Sequence, residues 1–294
     1  MTRRTALALF SAALARAANK LPANKNVKWA LGANLWNSFP RVPFTDILDV
    51  MKDTGFIGIR LTQFPQILTT YNITAAQMRA ECEKRGCHVI TISFNGATYD
   101  PAQHATVIAA AKNYMTFLKE FDAKHLVVFP PNRRYLNDAS FKAMCECFNK
   151  IGETAGEMGF KAGLHNHIDE MVQTAEEIDR CMAMTDPKLF HFSPDTAHLH
   201  LADCDVVKTI EKHKSRLMLL DYKDANKAKG TKITETVFDY GDGVIDFPGC
   251  HRVLKSINFK GWLCADLDVA RQGPRKSYER CADYVVTNLE PIYA

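Results

Sequence analysis

The sequence predicts a single (β/α)8 barrel. Three observations carry that reading. Short apolar runs alternate with longer stretches of helical period, the alternation repeats eight times, and a chain of 294 residues has room for one such barrel, which typically needs about 250. Helices alternating with buried strands imply a parallel sheet, and eight such units imply closure.

In chain order the expected strands are residues 29–35, 57–61, 88–94, 125–129, 161–165, 190–193, 217–221 and 262–266. A helical stretch follows each. In the one expected over residues 101–121, Val107, Ile108, Ala111, Tyr114, Met115 and Leu118 form one stripe, and a second is expected over residues 139–158. An open doubly wound sheet is the competing architecture, but no glycine-rich dinucleotide fingerprint follows any strand, and Gly96 stands alone after the third. No linker or further repeat interrupts residues 25–294, which are taken as one domain.

Composition fits a soluble globular body: 47% of residues are hydrophobic and 24% charged. The formal charge of +4 is carried by Arg3, Arg4, Arg16 and Lys20, because residues 21–294 hold 33 basic and 33 acidic side chains. A neutral body without a basic stripe offers no electrostatic footprint for nucleic acid, so a small, uncharged substrate is expected. The nine cysteines sit mostly in strand-like or helix-like runs and read as core residues without a disulfide framework. Cys145 and Cys147 lie two apart in a helical pattern, face different ways, and make a poor metal knuckle.

Residues 1–20 stand apart. Arg3-Arg4 precede an apolar stretch from Thr5 to Ala15, Ala15-Arg16-Ala17 follows, and no acidic residue occurs before Asp46. This is the layout of a twin-arginine-like export signal, implying a periplasmic or secreted protein; a frayed amphipathic helix of a cytoplasmic protein and an organellar transit peptide stay open. The stretch is too short for a permanent membrane span.

In a (β/α)8 barrel the carboxyl ends of the strands build the working face. Strand five runs into Leu164-His165-Asn166-His167, strand six into Ser193-Pro194-Asp195-Thr196-Ala197-His198, strand seven into Asp221-Tyr222-Lys223-Asp224, and strand eight into Ala265-Asp266-Leu267-Asp268. Any one of these polar groups, taken singly, is better read as a cap for the next helix. As a set on four successive strands they imply a site. Alternation lets His165 and His167 point one way and Asn166 the other. Neutral imidazole with carboxylate suits Mn²⁺, Zn²⁺, Co²⁺ or Fe²⁺. On the other half of the rim lie Asn34, Trp36, Arg60, Gln63, Asn95 and Arg133. Most of these read singly as loop packing, although Trp36 could stack on a sugar face. Arg60 is different, since a charge on a barrel strand is costly unless paired, and pairing with a rim carboxylate is expected.

These motifs, together with Gly241-Asp242-Gly243-Val244-Ile245-Asp246-Phe247 and Gly261-Trp262-Leu263, resemble the sugar phosphate isomerase/epimerase superfamily, the xylose isomerase-like TIM barrel group, nearest to its inosose dehydratase-like branch. The resemblance runs from about Trp29 to the C-terminus. It implies one divalent ion held by His165, Asp195, Asp221 and Asp266, with Mn²⁺ the first expectation and Co²⁺, Zn²⁺ or Mg²⁺ the others. This sequence departs from the group in having Asp221 where His is usual and Asp266 where the longer Glu is usual. The resemblance further implies Asp266 as base or metal-bridging group, His165 or His167 as its proton-transfer partner, and His198 and Lys223 as substrate contacts; Arg60, Trp36 and Asn95, read from their places on the rim, are the further candidates for substrate binding. A spacing of three residues also suits His198 to orienting Asp195.

The implied activity is proton abstraction next to the carbonyl of a sugar, keto sugar or cyclitol, ending in isomerisation, epimerisation or loss of a β-substituent. The partner is then a small carbohydrate, with neither nucleic acid nor membrane, and a homo-oligomer is compatible with it. The rival is a non-catalytic barrel that binds sugars or a partner, and an abasic-site endonuclease fits poorly with a neutral body.

Overall fold

The computed structural model describes residues 20–22, 26–38 and 42–293. The leader expected over residues 1–20 therefore lies outside the described residues, apart from Lys20. Eight parallel strands form one sheet: β1 (Val27–Gly32), β2 (Gly58–Leu61), β3 (His88–Phe94), β4 (His125–Val128), β5 (Lys161–Leu164), β6 (Phe190–Phe192), β7 (Leu220–Tyr222) and β8 (Gly261–Ala265). Their order is β6-β5-β4-β3-β2-β1-β8-β7. Two isolated parallel bridges, Phe192 with Leu217 and Asp195 with Asp221, join the ends of that series and close the barrel. The amides of Met218 and Asp221 donate across this seam to the carbonyls of Phe192 (3.0 Å) and Pro194 (2.9 Å).

One principal helix follows each strand: α1 (Phe44–Thr54), α2 (Ala75–Arg85), α3 (His104–Lys119), α4 (Asp138–Glu157), α5 (Ala175–Met184), α6 (Val206–Lys212), α7 (Phe247–Ser256) and α8 (Pro274–Tyr284). Local chemistry sets several of their starts. Thr74 and Thr174 form capping boxes with Gln77 and Glu177, and Asn137 accepts the Ser140 amide to open α4. Along α3, Val107, Ala111, Met115 and Leu118 are buried against the barrel, as the stripe predicts, while Ile108 and Tyr114 are half-buried at its edge. All nine cysteines are buried and free.

Among the described residues, no helix is long and apolar enough to cross a membrane. The strands bring their carboxyl ends to one rim, where the loops after β5, β6, β7 and β8 converge.

Candidate active site at the carboxyl end of the barrel

Asp195 shows how one residue serves two needs. It caps the short helix Thr196–Leu201, its Oδ1 accepting the His198 amide at 3.0 Å. Its backbone is held by Asn166, whose side chain accepts the Asp195 amide (3.0 Å) and donates to its carbonyl (3.3 Å). Oδ2 takes no part in the cap and is left buried at the barrel mouth. His165 Nε2 lies 3.9 Å and His198 Nε2 3.8 Å from that oxygen. One ligand atom from each of His165, Asp195 and His198 falls within 4.8 Å of the other two, so these three buried residues can hold a metal ion.

Two buried cations stand around this triad. Arg60, from β2, places Nη1 2.7 Å from Asp221 Oδ2 and 3.4 Å from Asp266 Oδ2, while Nη2 donates to Ser93 Oγ at 3.1 Å. The pairing expected from sequence is therefore present. Lys223 Nζ lies 3.1 Å from Asp195 Oδ2, 2.9 Å from Asp266 Oδ2, 2.9 Å from Asp268 Oδ2 and 3.5 Å from His198 Nε2. Its backbone is pinned from both sides by Thr196 Oγ1, which accepts the Lys223 amide (2.9 Å) and donates to its carbonyl (2.8 Å).

Burial and charge set the protonation states. Burial raises Asp195 to about 6 against the pull of Lys223, and raises Asp221 to about 6 against the pull of Arg60. For Asp266 the balance reverses: burial is outweighed by Lys223 and Arg60, which hold its carboxyl well below the usual range. Burial opposes the charge on Lys223 too, but Asp195, Asp266 and Asp268 keep it protonated. His165 and His198 are pushed well down by burial, and His167 is lowered by burial and Lys223, so all three imidazoles are neutral. Four carboxylates thus face two cations, an excess of two negative charges in full ionisation.

The expected site residues separate into groups. His165 and Asp195 stand in the triad, and His198 is its third member. Asp221 and Asp266, also expected as ligands, are engaged by the two cations, and Asp221 Oδ2 lies 3.0 Å from His165 Nδ1, out of line for a hydrogen bond. His167 packs on His198 with ring centroids 3.7 Å apart, and its Nδ1 lies 2.7 Å from the Ile168 carbonyl. Asn95 lines a cavity of about 470 Å³ with Asn34, Asn37, Gln63 and Gln66; Ser93 and Phe129 join that cavity to the ionised cluster. Trp36 is placed differently. Its ring is 2% exposed and stacks on Tyr278 at 5.4 Å, with Nε1 3.3 Å from Asp46. Arg133 turns outward to a bidentate pair with Glu177.

Two participants had no role assigned to them from sequence. Phe129, the residue after β4, packs under His165 (4.4 Å) and beneath the Arg60 guanidinium (5.7 Å), and nothing polar marks it. Asp268 lies in the loop beyond the strand end, and its role shows only when Lys223 reaches across from β7. The room for Asp266 comes from Gly32 at the end of β1, where a Cβ would collide with Asp266 Oδ1 and Asn34 Oδ1.

The family described as the xylose isomerase-like TIM barrel matches residues 48–285. This chain belongs to that family. An inosose dehydratase of Clostridium perfringens is 30% identical over 280 residues, covering 88% of this chain and 86% of the relative. An inosose dehydratase of Bacillus velezensis is 32% identical over 146 residues, 46% of this chain, and the match spans about half (49%) of the relative's length. Among solved structures, the IolI protein with a bound zinc atom superposes with a TM-score of 0.70 at 14% identity, covering 90% of this chain and 96% of that one, a likeness of fold.

Proposed function

We propose that the protein is a divalent-metal-dependent enzyme that removes a proton next to the carbonyl of an uncharged keto sugar or cyclitol, with dehydration of an inosose-type ketone as the reaction to test first. The observation that carries this reading is the buried triad of His165, Asp195 and His198 beside a neutral His167 at the barrel mouth. The names of the two inosose dehydratase relatives supply the reaction class.

The residues fit an ion. Two neutral imidazoles and one carboxylate suit Mn²⁺, Zn²⁺ or Co²⁺, Asp195 Oδ2 is buried and faces both imidazoles, and the carboxylates in full ionisation exceed the two side-chain cations by two charges, which matches a divalent cation. Bound there, an ion supplies electrostatic stabilisation of negative charge developing on a substrate oxygen.

The chain's own groups do the rest. Asp221 faces His165 Nδ1, which favours a proton on that nitrogen and leaves Nε2 bare toward Asp195. In the same way the Ile168 carbonyl takes the Nδ1 proton of His167 and leaves Nε2 as a proton acceptor. His167 then receives the proton from the carbon next to the carbonyl, and its imidazolium protonates a departing β-hydroxyl as water. Asp266, the base expected from sequence, is held ionised by Arg60 and Lys223, and in this reading its task is to anchor them. The five amides of the adjoining cavity pair donors and acceptors with neutral hydroxyls, and among the described residues no charged side chain lines it.

The test is metal analysis with solvent exchange. Reconstituted protein is expected to bind one Mn²⁺ or Zn²⁺ per chain, and an inosose in D₂O is expected to exchange one carbon-bound hydrogen and lose water. Asp195→Asn keeps the helix cap, because Asn caps as well as Asp, yet loses the ion. His167→Phe keeps the ion and slows exchange by about a hundredfold or more. Protein that takes up neither ion overturns the reading; exchange without water loss reassigns the outcome to epimerisation.

A further inference from the structure

We propose that Lys223 is a built-in counter-ion that competes with the divalent cation for Asp195, and that the cation enters as the ammonium withdraws onto Asp266 and Asp268. The inference rests on the ion-binding reading above and adds to it a residue that opposes the ion.

Asp195 Oδ2 and His198 Nε2, 3.8 Å apart and belonging to two of the three residues that can hold the ion, are also neighbours of Lys223 Nζ, at 3.1 and 3.5 Å. An ion bound to a carboxylate oxygen sits about 2.0 to 2.2 Å from it. An ammonium that stayed within 3.1 Å of the same oxygen would then lie no more than about 5 Å from the ion, with both buried and little water to screen them. The two cations are alternatives at Asp195.

Lys223 also has somewhere to go. Asp266 and Asp268 each hold Nζ at 2.9 Å, and both follow the end of β8, on a different strand from each of the three residues that would hold the ion. Asp268 is the outermost of the three, 28% exposed at the mouth. Thr196 fixes the Lys223 backbone at both its amide and its carbonyl, so the change is confined to the four-carbon side chain. Without the ion, Lys223 compensates Asp195 and keeps the carboxylates together. With it, the same ammonium remains paired twice.

The experiment compares wild-type protein, Lys223→Gln and Asp268→Asn by calorimetric titration with Mn²⁺ and with Zn²⁺, circular dichroism confirming the fold, and adds a crystal structure of the Mn²⁺-soaked wild type. Competition predicts opposite signs: Lys223→Gln binds at least tenfold more tightly than wild type, and Asp268→Asn, which removes part of the retreat, binds at least threefold more weakly. In the soaked crystal Nζ is expected beyond 3.5 Å from Asp195 Oδ2 and still within 3.5 Å of Asp266 or Asp268 (about the reach of a direct polar contact). Wild type that binds an ion with Lys223→Gln no tighter overturns the competition and leaves the ion site standing. Absence of binding in both overturns the ion site and this inference together. If Lys223→Gln does not fold, the Asp268→Asn titration and the crystal decide: unchanged or tighter binding, or Nζ still on Asp195, overturns the proposal.

Discussion

At the scale of single residues, Arg60 sets the electrostatic order of the mouth. Its guanidinium lies on the apolar ring of Phe129 and reaches two carboxylates, so its removal leaves Asp221 without the contact that opposes burial. Arg60→Met is expected to cost about 3 to 5 kcal/mol of folding stability, the range for breaking a buried pair by deleting one partner, read by urea denaturation. A loss below 1 kcal/mol (about the worth of an exposed ion pair) would show that Lys223 can take over. This pairing was legible in the sequence, because an arginine inside a run of barrel-strand residues has few other destinations. Lys223 was expected from sequence as a substrate contact and not as the hub of three carboxylates, since Asp195 follows β6 while Asp266 and Asp268 follow β8, and they meet only after the barrel closes. Trp36 misled for a related reason. An aromatic side chain at a strand end suits either a sugar or the next helix, and here Tyr278 of α8 stacks on it.

At the scale of elements, the loop after β7 is organised by Asp224. Its carboxylate accepts four backbone amides, those of Ala225 (2.9 Å), Gly241 (2.8 Å), Gly243 (3.0 Å) and Ile245 (3.1 Å). The Gly241-Asp242-Gly243 motif is thus the partner of the Lys223-Asp224 motif, and the small ribbon Asp224–Ala225 with Val237–Phe238 forms beside it. A Cβ at Gly243 would meet the Asp224 carboxylate, so Gly243→Ala and Asp224→Ala are both expected to lower stability, the latter by at least about 2 kcal/mol because buried amides lose their acceptor. Thermal unfolding checks both, and a double variant no worse than Asp224→Ala would confirm that the two residues act through one contact. The ribbon had no signature in the sequence, its strands being two residues each. β3 was readable because a long apolar run has one interpretation, and it occupies the expected residues. The first strand instead starts at Val27 and ends at Gly32, since the apolar pattern continues into a 3-10 turn over Ala33–Ser38 that still buries Leu35 and Trp36.

Across the whole molecule, burial holds several histidines below their ordinary range. His125, His191 and His251 are each lowered to about 4, in every case first by burial. An unfolded chain protonates such a group near 6.5 whereas the native one does not, so between about pH 6.5 and 4 the unfolded state binds the extra proton and stability falls as pH falls. Asp195 and Asp221, raised to about 6, act in the opposite sense over part of that window. His251→Phe isolates one contribution. Placed between Trp29 and Tyr293, it removes at most one proton from the balance, and the slope of stability on pH is expected to flatten by up to ~1.4 kcal/mol per pH unit, most strongly in the middle of the window. Chemical denaturation at pH 4.5, 5.5 and 6.5 (points within the window set by those values) measures it, and parallel slopes in variant and wild type would exclude the assignment. The fold at this scale was the most readable property, because eight repeats of strand and helix leave little choice of architecture. The division of labour among the rim residues was less so, as it depends on which of several carboxylates each cation reaches.

The closure between β6 and β7 gives that division a mechanical side. A hoop is weakest at its joint, and this one is fastened by two bridges, one of them between Asp195 and Asp221 themselves. Anything that grips Asp195 also tightens the fastening, so occupancy of the mouth should be audible in the breathing of the wall. Exchange of the Met218 and Asp221 amide hydrogens, which donate across the joint, is expected to slow when Mn²⁺ or Zn²⁺ is added, while the amides between β3 and β4 keep their rate.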